Sequence, residues 1–126
     1  MSEGVRNALA AYAHALDDGR TDDVVATFCE DGAIDMGDLG VHEGHAGLRA
    51  AYGRWVPRMP QRHLVLNTNI TAWDEREATA VSDVVLLLRI DGSWQVQLVG
   101  RYRDVLHEDG GAWRFHHRTA EFVSEG

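Results

Sequence analysis

With one cysteine in the chain, Cys29, an internal disulfide is ruled out. The fold is therefore no stapled scaffold, and a reducing cytoplasm is the expected compartment. Lysine is missing altogether: the 12 basic residues are all arginine and face 20 acidic ones, for a net charge of −8. This shortage of positive charge argues against nucleic acid or an anionic membrane as main partner, since both are recognised through basic patches. The arginine bias itself reads as a trait of a GC-rich coding genome. No run approaches the ~20 apolar residues of a membrane helix. The N-terminus has no basic segment followed by an apolar one, so no signal peptide is expected. There are only two prolines, Pro57 and Pro60, and they stop the helix that precedes them.

What remains is enough for a core. A chain of 126 residues, 44% of them hydrophobic, is expected to form a single domain over 1–126. In the span 3–18, Val5, Leu9, Tyr12 and Leu16 fall on one helical stripe and His14 points away from it. Gly19 ends that helix. Thr21 reads as the N-cap of a short second helix whose apolar side is Val24, Val25 and Phe28. Asp31-Gly32 reads as a turn. Residues 33–37 and 40–43 read as short strands, and 45–56 as a third helix carrying Leu48, Tyr52 and Trp55. Four long strands follow, at 61–73, 77–90, 94–107 and 112–123, joined by Asp- and Gly-rich hairpin turns. Helices first and an antiparallel sheet second predict an α+β fold. In it, three N-terminal helices pack on a strongly curved, mostly antiparallel sheet of about six strands, a cone-shaped α+β barrel. Val85 and Leu87 keep the second face of the sheet apolar, so a homodimer through that outer face is expected.

The stretch Arg62-His63-Leu64-Val65-Leu66-Asn67 carries the most information about function. Strand side chains alternate, so His63, Val65, Asn67 and Asn69 are expected on one side and Leu64, Leu66 and Ile70 on the other. An imidazole and an amide on the front of such a strand can line a ligand pocket; the plainer alternative is a polar, solvent-facing edge.

Together with that stretch, the segments Tyr12 to Asp23, Phe28 to Gly32, Glu43 to Arg49, Gly100 to Asp104 and Gly110 to Arg114 resemble the nuclear-transport-factor-2-like superfamily. Within it they resemble the SnoaL-like group, which includes polyketide cyclases, scytalone dehydratase and ketosteroid isomerases. The resemblance covers nearly the whole chain and implies an apolar pocket inside the cone. It likens Asp17 to an acidic residue of scytalone dehydratase and His63 to one of that enzyme's two catalytic histidines. The second histidine has no counterpart, because Leu86 to Leu88 stand where it belongs. Tyr12 is likened to the oxyanion-donating tyrosine of ketosteroid isomerases. Their general-base aspartate falls near Met36, and Asp35, one residue off, should face the other way.

The chemistry this implies is proton transfer. An imidazole titrates near pH 6.5 when unperturbed, so it can accept or donate a proton near neutrality, and a carboxylate can orient it. The expected catalytic pair is His63 and Asp17. Tyr12, Tyr52, Trp55, Asn67 and Tyr102 are the expected substrate-binding residues, with a hydroxyl or amide holding the developing enolate oxygen. Asp17 at the edge of its stripe could equally be solvated, and the tyrosines and Trp55 could be plain core. An inward Asp104 needs a partner, for which Arg118 is suited, and a structural ion pair is the favoured reading. No metal is expected. His42-Glu43-Gly44-His45 lacks the spacing of a helical zinc motif, and His116 and His117 point to opposite faces.

The expected ligand is a small, mostly apolar molecule and no cofactor is expected. The reaction class is that of a lyase, isomerase or cyclase. The rivals are a non-catalytic carrier with the same pocket and an accessory assembly protein whose cone is filled. A pocket of about 300 Å³ or more would favour a ligand.

Overall fold

A computed structural model describes residues 1–123; the last three residues of the expected 1–126 domain lie outside the described residues. Helix α1 (Ser2–Asp17) buries Val5, Leu9, Tyr12 and Leu16, as its stripe requires, and leaves His14 exposed. Gly19 ends it with φ +70°, a conformation that glycine adopts without cost. In α2 (Thr21–Ala26), Arg20 and not Thr21 occupies the N-cap, and no side chain caps the helix.

Phe28 opens β1 (Phe28–Asp35) instead of closing α2, and the strand starts five residues earlier than the expected residue 33. The Asp-Gly pair that reads as a turn lies within β1. A register shift between Phe28 and Ala33 absorbs it. A Cβ on Gly32 would stand 2.7 Å from the Phe115 carbonyl oxygen, so this glycine serves close strand packing and not a turn. A 3₁₀ turn (Gly37–Leu39) leads to β2 (Val41–Glu43), and α3 (Gly44–Arg54) follows. The rest is β3 (Gln61–Trp73), β4 (Glu77–Ile90), β5 (Ser93–Asp109) and β6 (Ala112–Phe122).

The strands form one six-stranded sheet in the order β2-β1-β6-β5-β4-β3. The β1–β6 pair is parallel and the others are antiparallel, so the sheet is mixed. It does not close into a barrel: β2 and β3 are its edges, and the helices pack on the concave face. Among the described residues no helix is long and apolar enough to cross a membrane.

The face assignment along β3 needs one correction. Gln61, His63 and Val65 pair with Leu88, Leu86 and Val84 and face the helices, as expected of the His63 side. Between Leu66 and Asn69 the register shifts, and Asn67 takes φ +55°. This β-bulge inserts a residue and inverts the alternation beyond it. Thr68 and Ile70 therefore turn inward, while Asn67 and Asn69 are exposed. On the convex face Leu64, Val85 and Val99 lie side by side across three strands, next to Leu87 and Val96.

Candidate active site

Asp17 is the last residue of α1 and reaches the open edge of β3. Its Oδ2 accepts the His63 backbone N–H at 2.8 Å, a ladder donor that an edge strand would otherwise leave free. Its Oδ1 lies 2.6 Å from His63 Nδ1 and 3.1 Å from Gln61 Nε2. An ionised carboxylate can only accept, so Nδ1 carries the hydrogen and donates. When the ring is neutral its lone pair is then at Nε2, which has no hydrogen-bond partner among the described residues. Both side chains are sheltered, at 12% exposure for His63 and 6% for Asp17. Burial pushes the Asp17 carboxyl up, but the bonds from the His63 ring and backbone and from Gln61 outweigh it, and the group stays below the usual carboxylate range.

His63 borders a cavity of about 190 Å³ between the helices and the concave face of the sheet. Its walls are apolar, with Leu16 and Trp55 on the helix side and Val84, Leu86 and Leu98 on the sheet. Met36, Leu39 and Phe122 also line it, and Leu39 and Phe122 are partly exposed. The polar groups are few: His63, Gln61 and the tyrosines Tyr12, Tyr52 and Tyr102. Tyr12 Oη and Tyr52 Oη are 2.6 Å apart, so one hydroxyl donates to the other and one proton remains to offer elsewhere. Burial, more than any neighbour, pushes the ionisation of all three phenols well above its usual range. They are therefore donors and not bases near neutral pH. Tyr52 also packs edge-on against Trp55, with centroids 5.1 Å apart.

Behind the tyrosines lies the ion pair anticipated for Asp104. Arg118 Nε is 2.8 Å from Asp104 Oδ1 and Nη2 is 3.3 Å from Oδ2, with both side chains fully buried. Burial pushes the Asp104 carboxyl up while Arg118 pulls it down. The two-pronged contact supports an ionised pair. For Arg118, burial opposes the charge, but Asp104 and the tyrosines prevail and push its pKa further up.

Six of the seven candidate residues therefore gather at one place. Tyr12, Tyr52, Trp55, His63 and Tyr102 line the cavity, and Asp17 stands behind His63. Asn67 does not join them: the bulge turns it outward, and its Nδ2 donates to Asp83 Oδ2 at 2.9 Å. Gln61 is the polar lining residue that the sequence reading passed over, although it precedes His63 by two positions and so shares its face. Met36 and Leu39 lie on or beside an irregular turn, where no periodicity announces a lining role.

A wider groove of about 350 Å³ runs outside, between α1 and β3, with Arg6, His14 and Thr68 on its rim. His63 lines this groove as well as the inner cavity, but none of the tyrosines does. His42 and His45 each bond a backbone carbonyl, of Leu39 and of Phe28. Among the described residues no three His, Cys, Asp or Glu side chains converge as a metal site.

The sequence model of the SnoaL-like domain family matches residues 2–119. Among curated proteins none matches. Among solved structures, a function-unknown protein from Mycobacterium tuberculosis is 24% identical, with a TM-score of 0.89 over 97% of this chain and 71% of its own. A scytalone-dehydratase-like protein from Novosphingobium aromaticivorans is 20% identical, with a TM-score of 0.85 over 98% and 84%. ActVI-ORFA from Streptomyces coelicolor is 20% identical, with a TM-score of 0.86 over 96% of each chain. At these identities the likeness is one of fold.

Proposed function

This chain belongs to the SnoaL-like domain family, and on that premise we propose that it is a cofactor-independent lyase, isomerase or cyclase acting by proton transfer on a small, mostly apolar carbonyl compound. The observation that carries the reading is the His63–Asp17 pair, 2.6 Å apart, at the wall of an apolar cavity that also holds hydroxyl donors. In this reading His63 Nε2 removes a proton next to a carbonyl, and Asp17 holds the ring and stabilises its cationic form. The Tyr12–Tyr52 pair or Tyr102 donates to the oxygen that gains charge. The cavity falls short of the about 300 Å³ that would favour a ligand, and this weighs towards the accessory assembly reading. Its 190 Å³ does exceed the about 150 Å³ in which benzene is held. A ligand of about one ring follows.

The test is exchange of α-protons for deuterium, followed by NMR, with one-ring ketones such as cyclohexanone as substrates. The wild type should accelerate exchange, and His63→Ala should lose about 10²–10⁴-fold of that acceleration. Binding of the ketones without exchange would favour the carrier reading instead. One observation supports that rival: Leu86, the direct partner of His63 on β4, lines the cavity where a second histidine would serve.

The convex face completes the proposal. Leu64, Val96 and Val99 are 41%, 64% and 43% exposed on one continuous apolar surface. A second copy meeting it about a two-fold axis would cover it. Light scattering should give a dimer for the wild type and a monomer for Val96→Asp combined with Val99→Asp. A monomeric wild type ends this part of the reading. The cytoplasm, with Cys29 free and buried, remains our proposed compartment.

A further inference from the structure

Arg118 is the largest fully buried side chain, and its Nη1 is the one buried side-chain nitrogen or oxygen without a partner among the described residues. An unpaired buried donor is costly and asks for an explanation. What the guanidinium faces is aromatic: its Cζ lies 3.5 Å from the centre of the Tyr102 ring and 4.3 Å from those of Tyr12 and Phe115. Two of these rings, Tyr12 and Tyr102, also line the cavity, and Tyr12 is hydrogen-bonded to Tyr52.

We infer that Arg118 is a positioning residue that polarises the Tyr12 and Tyr102 phenols and so makes the tyrosine wall of the cavity selective for an anionic oxygen, phenolate or enolate, on an otherwise apolar ligand. The inference rests on the cavity's being a ligand site. A cation against a ring face draws on the π electrons and leaves the hydroxyl a stronger donor. In a dry, low-dielectric interior that effect is weakly screened. Asp104 opposes it, since its carboxylate is bonded to Nε and Nη2 of Arg118. Burial is the largest influence on each phenol, yet at Tyr12, Tyr52 and Tyr102 alike the pull of Arg118 towards ionisation exceeds the push of Asp104. The titratable neighbours of the cation are thus Tyr12 from α1, Tyr52 from α3, Asp104 and Tyr102 from β5, and, through its effect on Asp104, His117 from β6.

A structural role alone would be filled as well by apolar side chains, because buried ion pairs are often replaced by them without loss of stability. The experiment uses this. p-Nitrophenol is a one-ring ligand whose phenolate absorbs in the visible, so its ionisation can be read while it is bound. It is titrated on the wild type and on the double variant Asp104→Leu/Arg118→Met, with thermal melts to confirm folding. Bound p-nitrophenol should have a pKa about one unit higher on the double variant, a tenfold loss of preference for phenolate over phenol. Affinity for the neutral phenol should stay within about twofold. Arg118→Lys keeps the charge without the planar face against both rings. It should give a smaller rise, and it serves if the double variant does not fold. An unchanged bound pKa overturns the inference while leaving the cavity reading intact. Failure of the wild type to bind p-nitrophenol overturns the cavity reading and the inference with it.

Discussion

Replacing Arg118 alone by methionine is expected to lower the unfolding free energy by about 3–5 kcal/mol. The side chain of Asp104 is as buried as that of Arg118, and the guanidinium supplies both of the hydrogen bonds given to its oxygens. Removing the cation would strand a carboxylate in a low-dielectric interior, where it must either stay charged at great cost or take up a proton. Adding Asp104→Leu should restore most of the loss, because the second substitution removes the stranded charge. Urea unfolding of the two single variants and the double measures the coupling directly. A loss below about 1 kcal/mol for Arg118→Met would mean that the pair is not held in its charged form.

The second large effect belongs to Asp17. Asp17→Asn keeps the size of the side chain but removes its charge and half of its acceptor capacity. In the wild type this carboxylate accepts three bonds, from His63 N, His63 Nδ1 and Gln61 Nε2. An amide cannot take all three without presenting its NH₂ to one of the donors. Either the His63 ring loses the bond that fixes its tautomer, or its backbone N–H is left against the amide NH₂ and the ring without its charged partner, and proton exchange should fall by about 10²–10⁴-fold. The same variant should change the acid limb of stability. Asp17 has its pKa lowered in the folded protein. Its contribution is therefore present above the unfolded carboxylate value, near 3.9, and is lost as pH falls through the lower folded value. Below about pH 4 the wild type should lose stability more steeply than Asp17→Asn. Parallel curves in that range would show that the carboxylate is not stabilised by its three donors.

The dyad and the bulge mark how far the sequence could be read. Alternation along β3 placed His63 and Val65 inward correctly, because nothing interrupts the ladder between Gln61 and Leu66. It failed at Asn67, where one residue in left-handed geometry inverts the faces beyond it. Asparagine is among the few residues that accept this conformation readily. It is also an ordinary polar strand residue, so its presence alone did not signal the bulge. Asp31-Gly32 misled in the opposite direction. The pair has the composition of a turn, yet Gly32 is there because the Phe115 carbonyl passes too close for a Cβ.

What the sequence determined by itself is what depends on neighbours along the chain. The stripe of α1 follows from spacings of three and four residues, the bounds of β3 and β4 from alternation, and the hairpins from Asp91-Gly92 and its like. The α+β order and the apolar convex face follow in turn. What only the tertiary structure decided depends on residues far apart in the chain. Asp17 and His63 are 46 positions apart, and Tyr12 and Tyr52 are 40 apart. They meet because the end of α1 closes against an edge strand and α3 folds over the same hollow. The same closure sets the cavity near 190 Å³ and seats Arg118 against the backs of two tyrosines. Local periodicity fixes which face a side chain presents. Only the packing of one face against another fixes what that side chain meets.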